Sequence, residues 1–438
     1  MSNESTLYVE VGHSKTPPFG HSSILNWISN KGFEPLFHIY VYLLVLLPTG
    51  SLFGINIKFI CFFLLFPIAL SKHLADSKTT LSKVSLLFVV PGALLVWILI
   101  AQVYEANAAL SYFQFKDIAT TFASCWLVSV FCRNRKGADI RFLRTVLIAE
   151  IVACLIKITL LGYCFYKEIP VSLMIDSISD FFGTKLMSMD LDSALGRIQF
   201  VADGLIPICI YMLLRYRTKL KISSVSAVVM FFLLAVSLVF TFSRYFWGFA
   251  ALAFSLGMIF SKKDHFHASV ITLLCIVLLV SLPVIVDLYQ IRFSDAIAGG
   301  SDSVRTEQIP ALERFFLDAP LLGHGYGSYT PDVIRSSDLQ YGYEVQLYAL
   351  AGQEGIIGLL LMGVLLLLYY YPLLWSKGRF FSSHRFGLII ILFGWLAAGL
   401  FNPMLFNSAA AMSYAAINAL SEISSESGLM STLKSFET

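Results

Sequence analysis

Leu359-Leu360-Leu361-Met362-Gly363-Val364-Leu365-Leu366-Leu367-Leu368-Tyr369-Tyr370-Tyr371 is the stretch that decides the fold class. Its apolar side chains are continuous and do not alternate with polar ones, which argues against a half-buried strand and for a helix that is apolar all round. Similar runs recur along the chain. Of the 438 residues 57% are hydrophobic and 13% charged, and the mean hydropathy is +0.75, outside the range of a soluble domain. Inside a bilayer the backbone must satisfy its own hydrogen bonds, so each run long enough to cross is expected to be a helix. The expected fold is an all-α polytopic membrane protein with about twelve transmembrane helices, over roughly 35–52, 54–70, 84–104, 117–132, 144–165, 198–214, 222–241, 243–260, 268–288, 344–374, 386–402 and 403–421.

The charges orient these spans, because lysine and arginine in short loops are kept on the cytoplasmic side. Basic connections hold Lys72, Lys78 and Lys83; Arg133, Arg135, Lys136, Arg141 and Arg144; Arg215, Arg217, Lys219 and Lys221; Lys262 and Lys263; and Lys377, Arg379 and Arg385. They fall at every second loop. The loops between are short or acidic, such as 167–196 with Glu168, Asp176, Asp180, Asp190 and Asp192, and are read as outward. Both termini are then cytoplasmic. The expected organisation is a cytoplasmic segment over 1–34, helices 1–9 over 35–288, a structured periplasmic loop over 289–343, helices 10–12 over 344–421 and a cytoplasmic tail over 422–438. The first thirty or so residues contain no apolar core, so no cleavable signal is read and the first helix is expected to direct insertion.

Composition excludes several classes of chemistry. The net charge of +3 is too small to point to nucleic acid. The seven cysteines, Cys61, Cys125, Cys132, Cys154, Cys164, Cys209 and Cys275, fall in or at the ends of apolar runs, with neither a disulfide framework nor metal-ligand spacing.

Polar candidates gather on the side read as outward: Arg197, Arg244 in Thr241-Phe242-Ser243-Arg244-Tyr245, Arg305, and Glu344 in Tyr341-Gly342-Tyr343-Glu344. Each alone reads as a helix-end charge reaching the interface. Together they run against the positive-inside bias, and ionisable residues at membrane helix ends are often functional. Arginine suits diphosphate, since its planar fork forms bidentate charge-assisted hydrogen bonds, and a carboxylate among arginines serves as a base or an ion-pair partner. Thr306 to Leu317 reads as an amphipathic helix ended by Asp318-Ala319-Pro320, and Gly323, Gly325 and Gly327 as a bend that lets backbone approach a ligand or a helix. His324 reads as a loop histidine and Asp203 as a helix cap. Pro207 marks a possible helix break, and Glu354 lies deep in the bilayer unless the chain kinks at Gly352 or Gly355.

The run Arg305…Phe315-Phe316-Leu317-Asp318-Ala319-Pro320-Leu321-Leu322-Gly323-His324-Gly325-Tyr326-Gly327-Ser328-Tyr329, with Glu344-Val345-Gln346-Leu347-Tyr348 and Gly355-Ile356-Ile357-Gly358-Leu359 after it, resembles the O-antigen polymerase and O-antigen ligase superfamily, most sharply over 289–372. The Ser243-Arg244 turn is similar to the superfamily's short arginine-bearing outward loop. The resemblance implies a GT-C-like glycosyltransferase of the bacterial inner membrane that needs no metal or other cofactor and acts at the periplasmic face on glycans linked to undecaprenyl diphosphate. Its expected partners are that lipid-linked oligosaccharide, membrane lipid and a chain-length regulator. Ligases of the superfamily typically carry a histidine before the helix with the Gly-Ile-Ile-Gly element; the corresponding position here is Glu344, which favours the polymerase branch. On this reading Arg305 and Arg244 are catalytic with Glu344, Arg197 helps bind the diphosphate, and Tyr326, Tyr329, Tyr341 and Tyr343 offer aromatic faces to sugars. A ligase that transfers finished glycan to lipid A-core is the nearest alternative. A flippase or another transporter also fits about twelve spans, although no repeated halves are found.

Overall fold

The computed structural model describes residues 32–47, 55–75, 90–134, 137–182, 187–192, 195–261, 264–280, 286, 295–334, 339–375 and 383–436. The expected segment over 1–31, the turn from Gly50 to Gly54, the start of the long loop, and the basic residues Lys78, Lys83, Arg135, Lys136, Lys262, Lys263, Lys377 and Arg379 lie outside these residues.

In chain order the helices are α1 (Phe33–Leu46), α2 (Ile57–Ala75), α3 (Val90–Val103), α4 (Ala108–Asn134), α5 (Ala138–Lys167) and α6 (Val171–Phe182). After a hairpin of β1 (Met187–Asp192) and β2 (Leu195–Gln199) and a 3-10 turn (Val201–Leu205) come α7 (Ile206–Tyr216), α8 (Ser224–Val239), α9 (Arg244–Phe260) and α10 (His265–Val280). The rest is α11 (Asp295–Asp318), α12 (Gln346–Tyr369), α13 (Tyr371–Trp375), α14 (Ser383–Ala397) and α15 (Ser408–Phe436). A helix overlaps every range read as a span. Four stretches, Ile57–Leu74, Ala108–Arg133, Ala138–Lys167 and Gln346–Tyr369, are long and apolar enough to cross a membrane by length and composition, and several shorter apolar helices accompany them.

Helix α15 sits at the centre, packed against α1, α4, α5, α14 and the 3-10 turn. Lipid tails are as apolar as leucine, so membrane helices associate through close packing, which small residues permit. Ala409, Ala410, Ala411, Ala415, Ala416 and Ala419 are all buried along α15. The close approach lets Thr121 donate to the Asn407 carbonyl at 3.1 Å and Tyr370 to the Tyr414 carbonyl at 2.9 Å.

Three departures from the sequence reading follow from local physics. Residues 198–199 finish strand β2 and the helix starts only at Ile206, with proline at its first turn, where the missing N–H is harmless. Asp203 does act as a cap, accepting from the Phe200 N–H at 2.8 Å, but it also forms a buried ion pair with Lys157. The helix of the long loop runs from Asp295, well before Thr306, and contains Gly299, Gly300 and Pro310, residue types of low helix propensity.

Lys157 and Asp203 are both buried, so removing one partner alone leaves an uncompensated charge. Lys157→Met should destabilise the protein in detergent by about 3–5 kcal/mol, measured as thermal unfolding. Adding Asp203→Leu should recover part of that loss, the remainder being the Phe200 cap.

Helix α12 is broken at one of the two glycines where the sequence allowed a kink. Gly355 adopts φ 63 and ψ −173, so the chain does kink where Glu354 required it. The Ile356 and Ile357 N–H groups would ordinarily donate to Gly352 and Gln353. They donate instead to the carbonyls of Pro320 and Leu321, at 2.9 and 3.0 Å, while the freed Gly352 and Gln353 carbonyls accept from His324 and Gly325 at 3.0 and 2.8 Å. The glycine segment is spliced into the helix, and a broken helix at this depth is tolerated because protein re-pairs its backbone. Positive φ at Gly323, Gly325 and Gly327 brings the segment against neighbouring backbone: a Cβ on Gly325 would overlap the Ala101 backbone and one on Gly327 the Ser111 backbone. Gly325→Ala should therefore cost roughly 2–4 kcal/mol from left-handed strain and overlap together, seen as a lower unfolding temperature in detergent.

Candidate active site

Arg305, and residues next to Arg244, Glu344 and Arg197, contact the turn 401–405 that joins the end of α14 to α15. Arg305 on α11 donates through Nε to the Glu344 carboxylate at 3.1 Å, with both side chains partly exposed. The Glu344 N–H is held by Oε1 of Gln308, one turn along α11, at 3.1 Å. The Arg305 guanidinium lies 5.9 Å from the centroid of the Phe401 ring, and Phe401 stacks on Tyr245 with centroids 5.0 Å apart. Tyr245 follows Arg244, the first residue of α9, behind the Ser243 cap. Gln346 accepts from the Leu405 N–H at 2.8 Å. On the hairpin, Arg197 donates to Gln199, whose Nε2 faces Met404 Sδ at 4.0 Å.

The arrangement brings Arg305 and Glu344 into contact, and places Arg244 and Arg197 on backbone that packs against the same turn. Arg244 also opens a helix, where the partial positive charge of the N-terminus favours an anion. The Arg305 guanidinium and the N-terminus of α9 offer positive charge to an oxyanion, and the Glu344 carboxylate can accept a proton from a hydroxyl brought beside it.

Two of the four tyrosines are corrected. Tyr326 is fully buried and donates to Glu354 Oε1 at 3.0 Å; burial first, and the Glu354 carboxyl with it, push its hydroxyl well above the usual tyrosine value. Tyr343 is buried too, accepting from the Thr330 N–H at 2.9 Å, and burial pushes its hydroxyl up to about 12. Neither ring is open to a sugar. Tyr329 and Tyr341 are half-buried. His324 stacks on Phe315 at 4.1 Å, which makes it a packing residue. Glu354 pairs with Tyr326. The residues that sequence reasoning missed are Phe401, Gln308 and Gln346. An aromatic between two apolar spans and amides beside charged neighbours carried no signal of their own.

Residues 229–362 match the family model described as O-antigen ligase. The match spans less than a third of the chain, and over that segment the chain is similar to the O-antigen ligase and polymerase superfamily. The match runs from within α8 to within α12 and takes in α9, α10 and α11, and with them Arg244, Arg305 and Glu344; Arg197 and the turn 401–405 lie outside it. A search of curated proteins gives no match. Members of the superfamily are glycosyltransferase-like enzymes of O-antigen assembly, with lipid-linked glycans as substrates. In this chain four helices among the described residues are long and apolar enough to cross a membrane. Polymerase and ligase branches share this match.

Proposed function

We propose that the chain is an O-antigen polymerase, joining repeat units carried on undecaprenyl diphosphate at the periplasmic face of the inner membrane. In this reading it crosses the membrane about twelve times in a GT-C-like arrangement, both termini are cytoplasmic, and 289–343 is a periplasmic loop. The observation that supports the reading best is the Arg305–Glu344 ion pair at 3.1 Å, with Arg244 and Arg197 packed about the same turn. Glu344 occupies the position where ligases of the superfamily carry histidine.

The reaction needs a leaving diphosphate stabilised and an acceptor hydroxyl deprotonated. Arg305, Arg244 and Arg197 bind the diphosphate and offset the negative charge that builds as the anomeric C–O bond breaks, a role that requires no metal. The same arginine holds Glu344 when no donor is bound. A donor diphosphate competes for the Arg305 guanidinium and frees the carboxylate, while the Gln308 bond keeps the Glu344 backbone in place. The acceptor oxygen then attacks the anomeric carbon, its proton passes to Glu344, and undecaprenyl diphosphate departs. Tyr329 and Tyr341 flank the sugars, and a chain-length regulator is an expected partner.

The test uses membranes containing the protein and a matched undecaprenyl-diphosphate-linked repeat unit. A ladder of carrier-linked oligomers supports the polymerase. In cells, a deletion that leaves single repeat units on lipid A-core supports it as well. Long glycan accumulating on the carrier would establish the ligase, the reading favoured by the description of the matching family.

A further inference from the structure

Glu354 is a buried acid that the proposed chemistry does not use. Its side chain is fully buried, Oε1 accepts from Tyr326, and Oε2 has no hydrogen-bond partner. No lysine, arginine or histidine among the described residues pairs with it. An ionised carboxylate so placed would be an uncompensated buried charge, whereas an uncharged acid leaves at most one O–H without a partner, a smaller cost.

The position is equally specific. Glu354 immediately precedes the break at Gly355, and its carbonyl accepts from Trp97 Nε1 at 2.9 Å. That same Nε1 is shared with the Leu322 carbonyl of the glycine segment at 2.9 Å. Tyr326 lies between Gly325 and Gly327, and its N–H donates to the Trp97 carbonyl at 3.1 Å. The segment thus enters the break with Tyr326 as its one side chain reaching the acid. On either side the chain leads to the candidate site: backward through α11 to Arg305, forward to Glu344 just before α12.

We propose that Glu354 is a positioning residue that acts uncharged, latching the glycine segment into the break of α12 through Tyr326 and so holding Arg305 and Glu344 in register. Its effect on turnover rests on the function proposed above; the latch itself does not.

The experiment uses the full chain in membranes with Ser328→Cys as a reporter, since Ser328 is buried beside the segment and its carbonyl accepts from Gln353. Labelling by an impermeant maleimide is read at position 328 by peptide mass. The Glu354→Gln variant, equal in shape and without charge, should label as slowly as the parent. Glu354→Ala should label about tenfold faster, the factor expected for loss of one hydrogen bond. In the elongation assay Glu354→Gln should match wild type in rate and pH profile, and Glu354→Ala should lose kcat. Protection of Glu354→Ala equal to the parent overturns the latch. Fast labelling or an altered pH profile in Glu354→Gln overturns the uncharged form. Fast labelling of Glu354→Ala with normal elongation overturns the positioning role. Wild-type membranes that elongate nothing would count against the proposed function and leave the labelling arm to decide the latch.

Discussion

Arg305→Ala should reduce chain elongation by about a hundredfold to a thousandfold, the range lost when one preorganised donor to a developing negative charge is removed, with normal abundance in the membrane. The expectation follows from what Arg305 touches. Its guanidinium holds Glu344 and lies over Phe401, so it has a fixed orientation before any donor arrives. The side chain is partly exposed, and its removal therefore leaves no large cavity; stability should change little while turnover falls. Arg305→Lys tests geometry separately from charge. Lysine keeps the positive charge but loses the planar fork, so activity should recover only in part. Arg244→Ala should behave similarly, because Arg244 begins α9 beside the Tyr245–Phe401 stack. The measurement is the initial rate of oligomer formation from a defined lipid-linked repeat unit, normalised to protein. Wild-type rates in both alanine variants would refute the diphosphate clamp.

The parts of this structure that were legible in sequence were those set by uniform, long-range constraints. A bilayer imposes one rule on every crossing segment, and continuous runs such as 359–371 therefore announced helices. The alternation of basic and acidic loops assigned Arg197, Arg244, Arg305 and Glu344 to one side, and in the structure Arg305 and Glu344 form an ion pair. The rest depended on pairings that a linear pattern does not encode. Tyr326 and Tyr343 looked like interfacial aromatics because they flank glycines and charges; Tyr326 is buried by a break in α12 that accepts its segment, and Tyr343 by packing against Leu312, Val345 and Ala349. The central place of α15 comes from its alanines, which carry little hydropathy but allow α4 and α5 to approach. The hairpin carrying Arg197 was hidden because Asp190 and Asp192 mark its first strand as part of an acidic loop, while Ile198 and Gln199 of its second strand open the range 198–214 that reads as a span.

Glu344→Gln should be as damaging as the arginine change, by a factor of roughly a hundred to ten thousand, the contribution of a positioned general base. Glutamine preserves the shape of the side chain and still accepts from Arg305, but it cannot take a proton from the acceptor hydroxyl. Glu344→Asp keeps the base one methylene short and should retain part of the activity. The ion pair adds a second signature. If Arg305 and Glu344 hold each other until the donor diphosphate intervenes, acceptor binding should depend on prior donor binding, and Glu344→Gln should weaken this ordering because the neutral amide grips Arg305 less firmly. The Arg305→Ala, Glu344→Gln double variant should fall little below the worse single variant, as expected of residues that act as one unit. Initial-rate patterns with donor and acceptor varied separately measure both effects. Full activity in Glu344→Gln would reduce the carboxylate to an ion-pair partner, and additive losses in the double variant would separate the two residues into independent roles.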